Sequence, residues 1–382
     1  MNSMIEQIYS LPALLREVAQ PLDEAARKAI SHDLALSVKR VFITGCGDSH
    51  HAALESELAM ESLTGLPTEP MTALQFARYA AGFIPKSGPF TNLVAGISVS
   101  GEVSRTFEAL QMAHEAGATT LALTATPGSR VAGAADIILD TASPAFPEPA
   151  GTHTPGVRSY LTNQMALLFM AVRLGELRGQ FSSADAAGLR KEIKGLADAL
   201  EWTIATCDPK AKQLAQDWKD AGEFVFVGGG PNYGTALFSA AKMLEASGDP
   251  ALGQETEEWG HLQYFARAVN TPTFFITAGD RDLTRISEAA VAAKAVGRRV
   301  VAVAPETARL LHETADASLP LAHVRELFSH LVACVPGELF AAYRAEVIDE
   351  PFFRNFEGGR STEGGGGISR IRSSEVWKNW QS

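Results

Sequence analysis

The stretch that decides the fold occurs twice in the chain: "VFITGCGDSHHAALESELAM" (41–60) is matched by "FVFVGGGPNYGTALFSAAKM" (224–243). Each copy begins with a short apolar run that favours a strand, passes through glycines, and continues as an alanine-rich segment with helical spacing. Any two strand–helix units share glycine at the turn, so this match alone would establish little. The residues that coincide are Gly45, Gly47, Ala53, Leu54 and Met60, which fall opposite Gly228, Gly230, Ala236, Leu237 and Met243.

A second pair of segments supports a duplication. The stretch "AHEAGATTLALTATPGS" (113–129) parallels "AKAVGRRVVAVAPETA" (293–308). Matches at the turn, along the helix and in a later strand together indicate two homologous units. Short apolar runs alternate with helical segments in both, which is typical of an α/β fold with a parallel sheet flanked by helices.

The regions outside the two repeated units differ from them in character. Residues 165–222 carry apolar residues at helical spacing, and the tail is rich in glycine and arginine and is expected to be a loop or a mobile segment. The predicted divisions are an N-terminal helical segment (1–35), a first domain (36–180), a helical connection (181–215), a second domain (216–345) and a tail that closes over the site (346–382).

Composition excludes several classes of protein. The chain has 382 residues, of which 46% are hydrophobic, so it can bury a large core. Its formal net charge of -11 argues against a nucleic-acid surface, which needs clustered cations. No apolar run approaches the roughly 20 residues that span a bilayer, and the N-terminus lacks a signal-peptide pattern. With three widely spaced cysteines, which give no disulfide framework or zinc pattern, we expect a cytoplasmic protein.

Two loops of the first unit are suited to an anion. "GCGDSHH" (45–51) and "SVSGEVSRT" (98–106) each follow a strand and open a helix. Glycine permits close backbone approach, serine hydroxyls donate, and a helix N-terminus favours negative charge, so Ser49, Ser98 and Ser100 suit a phosphate. The alternative is that these serines only cap helices. Neither loop carries a nucleotide-binding fingerprint, which makes nucleotide chemistry improbable.

The second unit departs from the repeat near the end of its helix. Glu245 stands where the first copy has Ser62, and Lys242 precedes it by three residues. A solvated ion pair is the ordinary explanation for such a spacing. Asymmetry between copies is also what we expect when one half binds and the other catalyses. No metal or cofactor is predicted, since no ligand cluster is visible and His50–His51 is interpreted as a surface pair that opens a helix.

These motifs resemble one family. "GCGDS" (45–49), "SVSGE" (98–102), "GGGPNYGTAL" (228–237) running into "AAKMLE" (240–245), and "ELFSHLVACVPGELFAAYRAE" (326–346) followed by "FRNFEGGRS" (353–361) are similar to the double sugar isomerase (SIS) domain of glucosamine-6-phosphate synthase and its relatives. Those relatives include fructosamine-6-phosphate deglycases and sugar-phosphate deaminases. The resemblance covers residues 35 to 362 and implies two tandem SIS domains, each a three-layer αβα sandwich.

The resemblance also implies roles for individual residues. It gives Glu245 the role of the base that moves a proton between C1 and C2 of the open-chain sugar, and Lys242 that of an active-site cation. His261, in "EEWGH" (257–261), falls on the histidine of a Gly-Glu-x-x-His motif that assists ring opening from the neighbouring subunit. The residues implied to bind substrate are Gly47, Ser49, Ser98, Ser100, Ser104, Glu258 and Arg360.

Three departures from the family pattern qualify this resemblance. The glutaminase domain with its N-terminal cysteine has no counterpart here, so glutamine-dependent amination is not expected. Val103 replaces a threonine of the phosphate loop, and whether Arg105 compensates is left open. Arg360 stands near the family's imine-forming lysine; because arginine cannot form an imine, we expect Arg360, with Arg354, to close over the substrate and read an anionic or hydroxyl group.

Taken with the resemblance, the residues predict an enzyme that interconverts a ketose phosphate with an aldose or 2-amino-aldose phosphate, such as fructose 6-phosphate and glucosamine 6-phosphate. It would act as a homodimer with shared sites. An isomerase, a deaminase and a deglycase all remain open. The alternative from another class is a non-catalytic regulator that binds a sugar phosphate.

Overall fold

A computed structural model describes residues 2–85, 88, 90–148, 153–358, 360 and 372. The first part of the chain forms α1 (Ser3–Ala29), α2 (His32–Ser37), β1 (Arg40–Gly45), α3 (Asp48–Thr64), β2 (Thr68–Thr72), α4 (Ala73–Gln75), β3 (Asn92–Ile97), α5 (Ser104–Glu115), β4 (Thr119–Thr124), α6 (Arg130–Gly133), β5 (Ile137–Asp140), α7 (Arg158–Leu177) and α8 (Ser183–Asp217).

The remainder forms β6 (Phe224–Gly228), α9 (Pro231–Ala246), β7 (Ala251–Glu255), α10 (Thr256–His261), β8 (Pro272–Ile276), α11 (Leu283–Ala295), β9 (Arg299–Pro305), α12 (Arg309–Thr314), β10 (Ala317–Leu321) and α13 (His330–Val347). Short 3₁₀ or π turns cover Phe76–Ala80, Ala81–Phe83, Gln263–Phe265, Glu326–Phe328 and Phe352–Phe356. None of the helices in the described ranges is both long enough and apolar enough to cross a membrane.

The chain divides into two compact units. The first comprises Glu17–Ala145, Ser159–Glu192 and the described residues after Asn355, and it contains a five-stranded parallel sheet in the order β2-β1-β3-β4-β5. Strands β3 and β4 are buried along their whole length. On one face of this sheet, Phe42 and Phe76 pack against the apolar side of α5.

The second unit comprises Met1–Arg16, Phe146–Arg158 and Ile193–Asn355. Its sheet has the order β7-β6-β8-β9-β10, all parallel, which repeats the order of the first sheet strand for strand. The turns that open α3 and α9 are also equivalent, because Gly47 (φ 56°, ψ −128°) and Gly230 (φ 53°, ψ −130°) adopt nearly the same left-handed backbone. The predicted duplication and the predicted three-layer α/β class are therefore confirmed.

Helices α9 and α13 pack closely in the second unit. A Cβ atom on Gly337 would lie 2.3 Å from the Oγ of Ser239, so only glycine allows this approach. Arg344, at the far end of α13, binds Asp249 and the carbonyls of Lys219 and Ala221. This packing holds α9 against α13 at Ser239, three residues before Lys242.

Candidate active site

In the first unit, the two serine loops follow adjacent strands. Strand β1 ends at Gly45 and β3 at Ile97, and the chain crosses from β1 to β2 on one side and to β3 on the other. Ligands of open parallel sheets bind at such a switch point, beyond the carboxyl ends of the strands. The sheet order therefore supports the predicted position of an anion site.

The Ser98 side chain is the clearest feature of this edge. It is 1% exposed, and its Oγ atom has no hydrogen-bond partner among the residues that the structure describes. Its carbonyl accepts from the amide of Gly101 at 3.0 Å, which shapes the loop. Ser100 uses its hydroxyl differently, accepting from the Glu102 amide at 3.3 Å. A buried hydroxyl without a partner is costly unless a ligand or water satisfies it, so Ser98 is the stronger candidate for contact with an anion.

A cation that sequence reasoning missed lies beside the second serine loop. Arg130 Nη2 donates to the Ser104 hydroxyl at 2.6 Å and to the Glu102 carbonyl at 2.7 Å. Arg105 is placed differently, because its Nη1 lies 2.6 Å from Oε2 of the buried Glu108. Arg130 of α6 thus contacts the second serine loop directly, whereas the guanidinium of Arg105 is paired with Glu108. The signal was present in "PGSR" (127–130), which follows β4 as the serine loop follows β3.

Ser49 lies in the first turn of α3, where Gly47 is the N-cap. The Gly47 carbonyl accepts from the amide of His50 at 2.9 Å. His50 and His51 are half-buried, which corrects their interpretation as a surface pair, and burial lowers the pKa of His50 to about 4. His50 is therefore neutral near pH 7 and adds no charge to the loop.

In the second unit, Lys242 and Glu245 form a close pair. The Lys242 side chain is fully buried, and its Nζ lies 2.5 Å from Oε2 of Glu245, whose side chain is 20% exposed. The same ammonium lies 4.9 Å from the centre of the Phe238 ring, at cation–π distance. The pair thus presents a carboxylate at the surface with a buried cation behind it, rather than the fully solvated pair that the spacing alone would allow.

His261 does not meet Glu245 within the second unit. Helix α9 runs back from the carboxyl end of β6 over about 24 Å, so Glu245 lies near the amino ends of the strands. His261 and Glu258 lie on α10, which begins directly after β7 and therefore lies near the carboxyl ends of the strands. The His261 side chain is 67% exposed, and its Nε2 lies 3.3 Å from Oε1 of Glu257.

The two arginines of the tail have different environments. Arg360 is exposed, and its Nη1 donates to the Glu357 carbonyl at 2.9 Å. Arg354 instead binds backbone carbonyls at the end of α9, which corrects the expectation that its guanidinium closes over a substrate. Residues 361–371 and 373–382, most of the predicted closing tail, lie outside the described residues.

The equivalent loop of the second unit is acidic. Thr277 follows β8 as Ser98 follows β3, and its hydroxyl donates to the Asp282 carboxylate at 2.5 Å. Burial, together with the charge of Glu326, raises the pKa of Asp282 to about 6. Carboxylates would repel a phosphate at this loop. Across the described ranges, no cluster of three or more His, Cys, Asp or Glu side chains is arranged to hold a metal ion.

Comparison with known proteins agrees with this architecture. The SIS domain family model matches residues 36–173. The glutamine–fructose-6-phosphate aminotransferase (isomerizing) of Gloeobacter violaceus is 29% identical over 356 residues, covering 91% of this chain and 57% of that protein. The corresponding protein of Streptomyces coelicolor is 29% identical over 322 residues, covering 82% and 51%. The chain thus spans little more than half the length of these curated relatives.

Solved structures share the fold. The C-terminal domain of glucosamine-fructose-6-phosphate aminotransferase from Francisella tularensis superposes with a TM-score of 0.77 at 18% identity, covering 91% of this chain and 96% of that one. Glucosamine-6-phosphate deaminase from Thermotoga maritima gives 0.62 at 18% identity, covering 90% and 94%. Residues 36–173 are therefore similar to a SIS domain, and strands β6–β10 repeat the strand order of that region.

Proposed function

We propose that this protein is an enzyme that interconverts a ketose phosphate with an aldose or 2-amino-aldose phosphate by moving a proton between C1 and C2. The observation that carries the proposal is the contact between the buried Lys242 ammonium and the partly exposed Glu245 carboxylate. A carboxylate that removes a proton from the carbon next to a carbonyl must be ionised and held in a fixed position. A cation in contact with the carboxylate favours its ionised form.

The proposed reaction uses the side chains in distinct roles. The hydroxyls of Ser49, Ser98 and Ser100 hold the phosphate, with Arg130 as a nearby cation. The Glu245 carboxylate removes the proton from the carbon next to the carbonyl, the electrons of that C–H bond form a C1–C2 double bond, and the π electrons of the carbonyl move onto its oxygen. The proton of the neighbouring hydroxyl passes to this oxygen as a new carbonyl forms, and Glu245 returns its proton to the former carbonyl carbon. Ketose and aldose forms are exchanged without a net change in atoms. In a deaminase or a deglycase, water would then add to the resulting imine carbon, which is C2 for a 2-amino-aldose and C1 for a fructosamine, and ammonia or the amine would leave.

A second chain is part of the proposal. His261 lies near the carboxyl ends of the strands and Glu245 near their amino ends. We therefore infer that a site using both residues would take His261 from another copy of this chain. Arg360, being exposed, is available to contact the sugar in place of the family's lysine.

The decisive experiment is proton NMR in deuterated water with fructose 6-phosphate, glucosamine 6-phosphate and a fructosamine 6-phosphate. We expect deuterium to enter C1 or C2 with the wild-type protein and not with Glu245→Gln. The product distinguishes an isomerase from a deaminase and a deglycase. Binding of a sugar phosphate without exchange would instead identify a regulator and refute the catalytic proposal.

A further inference from the structure

The end of α9, the helix that carries Glu245, is held by one guanidinium group. Arg354 Nη1 donates to the carbonyl of Leu244 at 2.8 Å, and Nη2 donates to those of Glu245 at 2.9 Å and Ala246 at 3.1 Å. The last carbonyls of a helix have no partner within it. A cation at this position also opposes the negative end of the helix dipole. Arg354 therefore completes the turn from which the Glu245 side chain projects.

The surrounding backbone is shaped to admit this guanidinium. Gly248 has a φ of +73°, and a Cβ atom there would lie 2.0 Å from Arg354 Nη1. Phe353, Arg354 and Asn355 all have left-handed backbones, with φ of 54°, 55° and 47°. Successive left-handed residues with side chains are costly, and such strain persists where surrounding contacts impose it, often at functional sites.

A carboxylate orients the same guanidinium. Glu350 Oε1 lies 3.3 Å from Arg354 Nε, four residues earlier in the chain. In this planar group, Nε lies within ion-pair distance of Glu350, both Nη atoms donate to carbonyls at the end of α9, and Nη2 also lies 3.4 Å from the Pro351 carbonyl oxygen. Its donors point at the helix end, and this arrangement makes it a clamp on the backbone.

We propose that Arg354 is a positioning residue for Glu245. It fixes the last turn of α9, and through that turn it fixes the direction of the catalytic carboxylate. The inference rests on the proposed function, because it assumes that Glu245 acts as the base. Misplacing a catalytic group by about 1 Å can cost on the order of a hundredfold in rate, so loss of the clamp is expected to affect kcat far more than substrate affinity.

The first test compares Arg354→Ala with wild type, using the sugar phosphate that shows deuterium exchange. We expect kcat to fall by about ten- to a hundredfold while KM changes by less than about threefold. Added guanidinium ion, below the concentration that alters the circular dichroism spectrum, should restore part of the kcat of the variant. Arg16→Ala is the matched control, because Arg16 forms surface ion pairs with Asp198 and Glu201 and should respond neither to substitution nor to guanidinium.

A second variant tests the same contact by changing the backbone position against which the Arg354 guanidinium packs. Gly248→Ala places a methyl group where Arg354 Nη1 lies and should reproduce the loss in kcat. The fold-decrease in kcat of the double variant should be smaller than the product of the two single fold-decreases, because both substitutions remove the same contact of Arg354 with the end of α9. An unchanged kcat in a folded Arg354→Ala protein, or a rise in KM at constant kcat, would overturn the proposal.

Amide hydrogen exchange separates this inference from the proposed function. Exchange of residues 243–247 should be faster in Arg354→Ala than in wild type, whether or not any sugar is turned over. Unaltered exchange would show that Arg354 does not hold the turn. A wild-type protein that moves no proton on any sugar would refute the catalytic role of Glu245 instead, and the positioning role would fall with it even if the clamp itself is real.

Discussion

The Nζ atom of Lys242 lies 2.5 Å from Oε2 of Glu245, with the lysine fully buried and the glutamate partly exposed. Burying a charge is expensive unless it is paired, so the lysine owes its place in the helix interface to this carboxylate and to the ring of Phe238. The two residues therefore differ in their access to solvent. A substrate can reach the partly exposed Glu245 carboxylate, whereas the buried Lys242 ammonium contacts that carboxylate from within the protein.

Lys242→Met should therefore reduce activity without reducing stability. Methionine fills a similar volume and removes the cost of desolvating an ammonium, and water can hydrate the partly exposed Glu245 carboxylate, so the free energy of unfolding in urea should change by less than about 1 kcal/mol. Without the cation, the Glu245 carboxylate is less readily ionised, and kcat should fall by about tenfold or more, which is about 1.4 kcal/mol. A loss of stability above about 2 kcal/mol would show that the ion pair is structural.

Ser98→Ala should weaken phosphate binding while leaving the fold intact. The Ser98 hydroxyl is buried and has no hydrogen-bond partner in the described part of the chain, so removing it breaks no hydrogen bond there. Affinity for a sugar phosphate, measured by calorimetry, should fall by about tenfold, the value of one hydrogen bond to a charged group. Ser56→Ala is the control, since its hydroxyl donates to the Ala53 carbonyl within α3 and should affect binding little. Equal affinities for wild type and Ser98→Ala would remove Ser98 from the site.

Gly101→Ala should be much more damaging than Gly47→Ala. Both glycines have left-handed backbones, with φ of +67° and +56°. A Cβ on Gly101 would lie 1.8 Å from the Ser129 Oγ atom, whereas a Cβ on Gly47 would meet no atom within 4 Å. We expect about 1 kcal/mol of destabilisation at Gly47, from backbone strain alone, and at least twice that at Gly101. Urea unfolding of the two variants measures this difference, and similar values would contradict the described loop.

The pH dependence of stability should report Asp282. Its pKa of about 6 in the folded protein is above its ordinary value of 3.8, so the folded state keeps a proton that the unfolded state loses. The free energy of unfolding should therefore fall as the pH rises from about 4 to about 6, by at most about 3 kcal/mol from this group. Asp282→Asn should remove that decline and be more stable than wild type at pH 7. Asp280→Asn, at an exposed position, should leave the decline in place.

Complementation should reveal whether two chains build each site. Glu245→Gln and His261→Ala proteins should each be inactive. If a site takes Glu245 from one chain and His261 from its partner, mixed dimers contain one intact site, and random mixing recovers about a quarter of wild-type activity. Co-refolding or co-expression followed by the exchange assay measures this. Two folded variants that stay inactive together would exclude sharing of these two residues.

Part of the fold was predictable because its physics is local. The strands β1, β3, β4, β6, β8 and β9 are short, apolar and buried, and the glycines after β1 and β6 mark their turns. Strands β2, β7 and β10 were not predicted, because their residues are mixed, as in "TEPMT" (68–72) and "ASLPL" (317–321). The edge strand β5 was predictable, because it carries the apolar run of "DIILD" (136–140).

The sequence by itself determined the duplicated α/β class, the two serine loops and the unusual glutamate of the second copy, because periodicity, glycine turns and departures from a repeat are properties of neighbouring residues. Only the tertiary structure decided that Arg130 donates to the serine loop and that Arg354 donates to the carbonyls at the end of α9. It also decided that His261 and Glu245 lie near opposite ends of the strands of one sheet. These relations join residues far apart in the chain, or depend on which end of a strand a helix starts from. Spacing along a sequence does not encode such geometry until the sheet order is known.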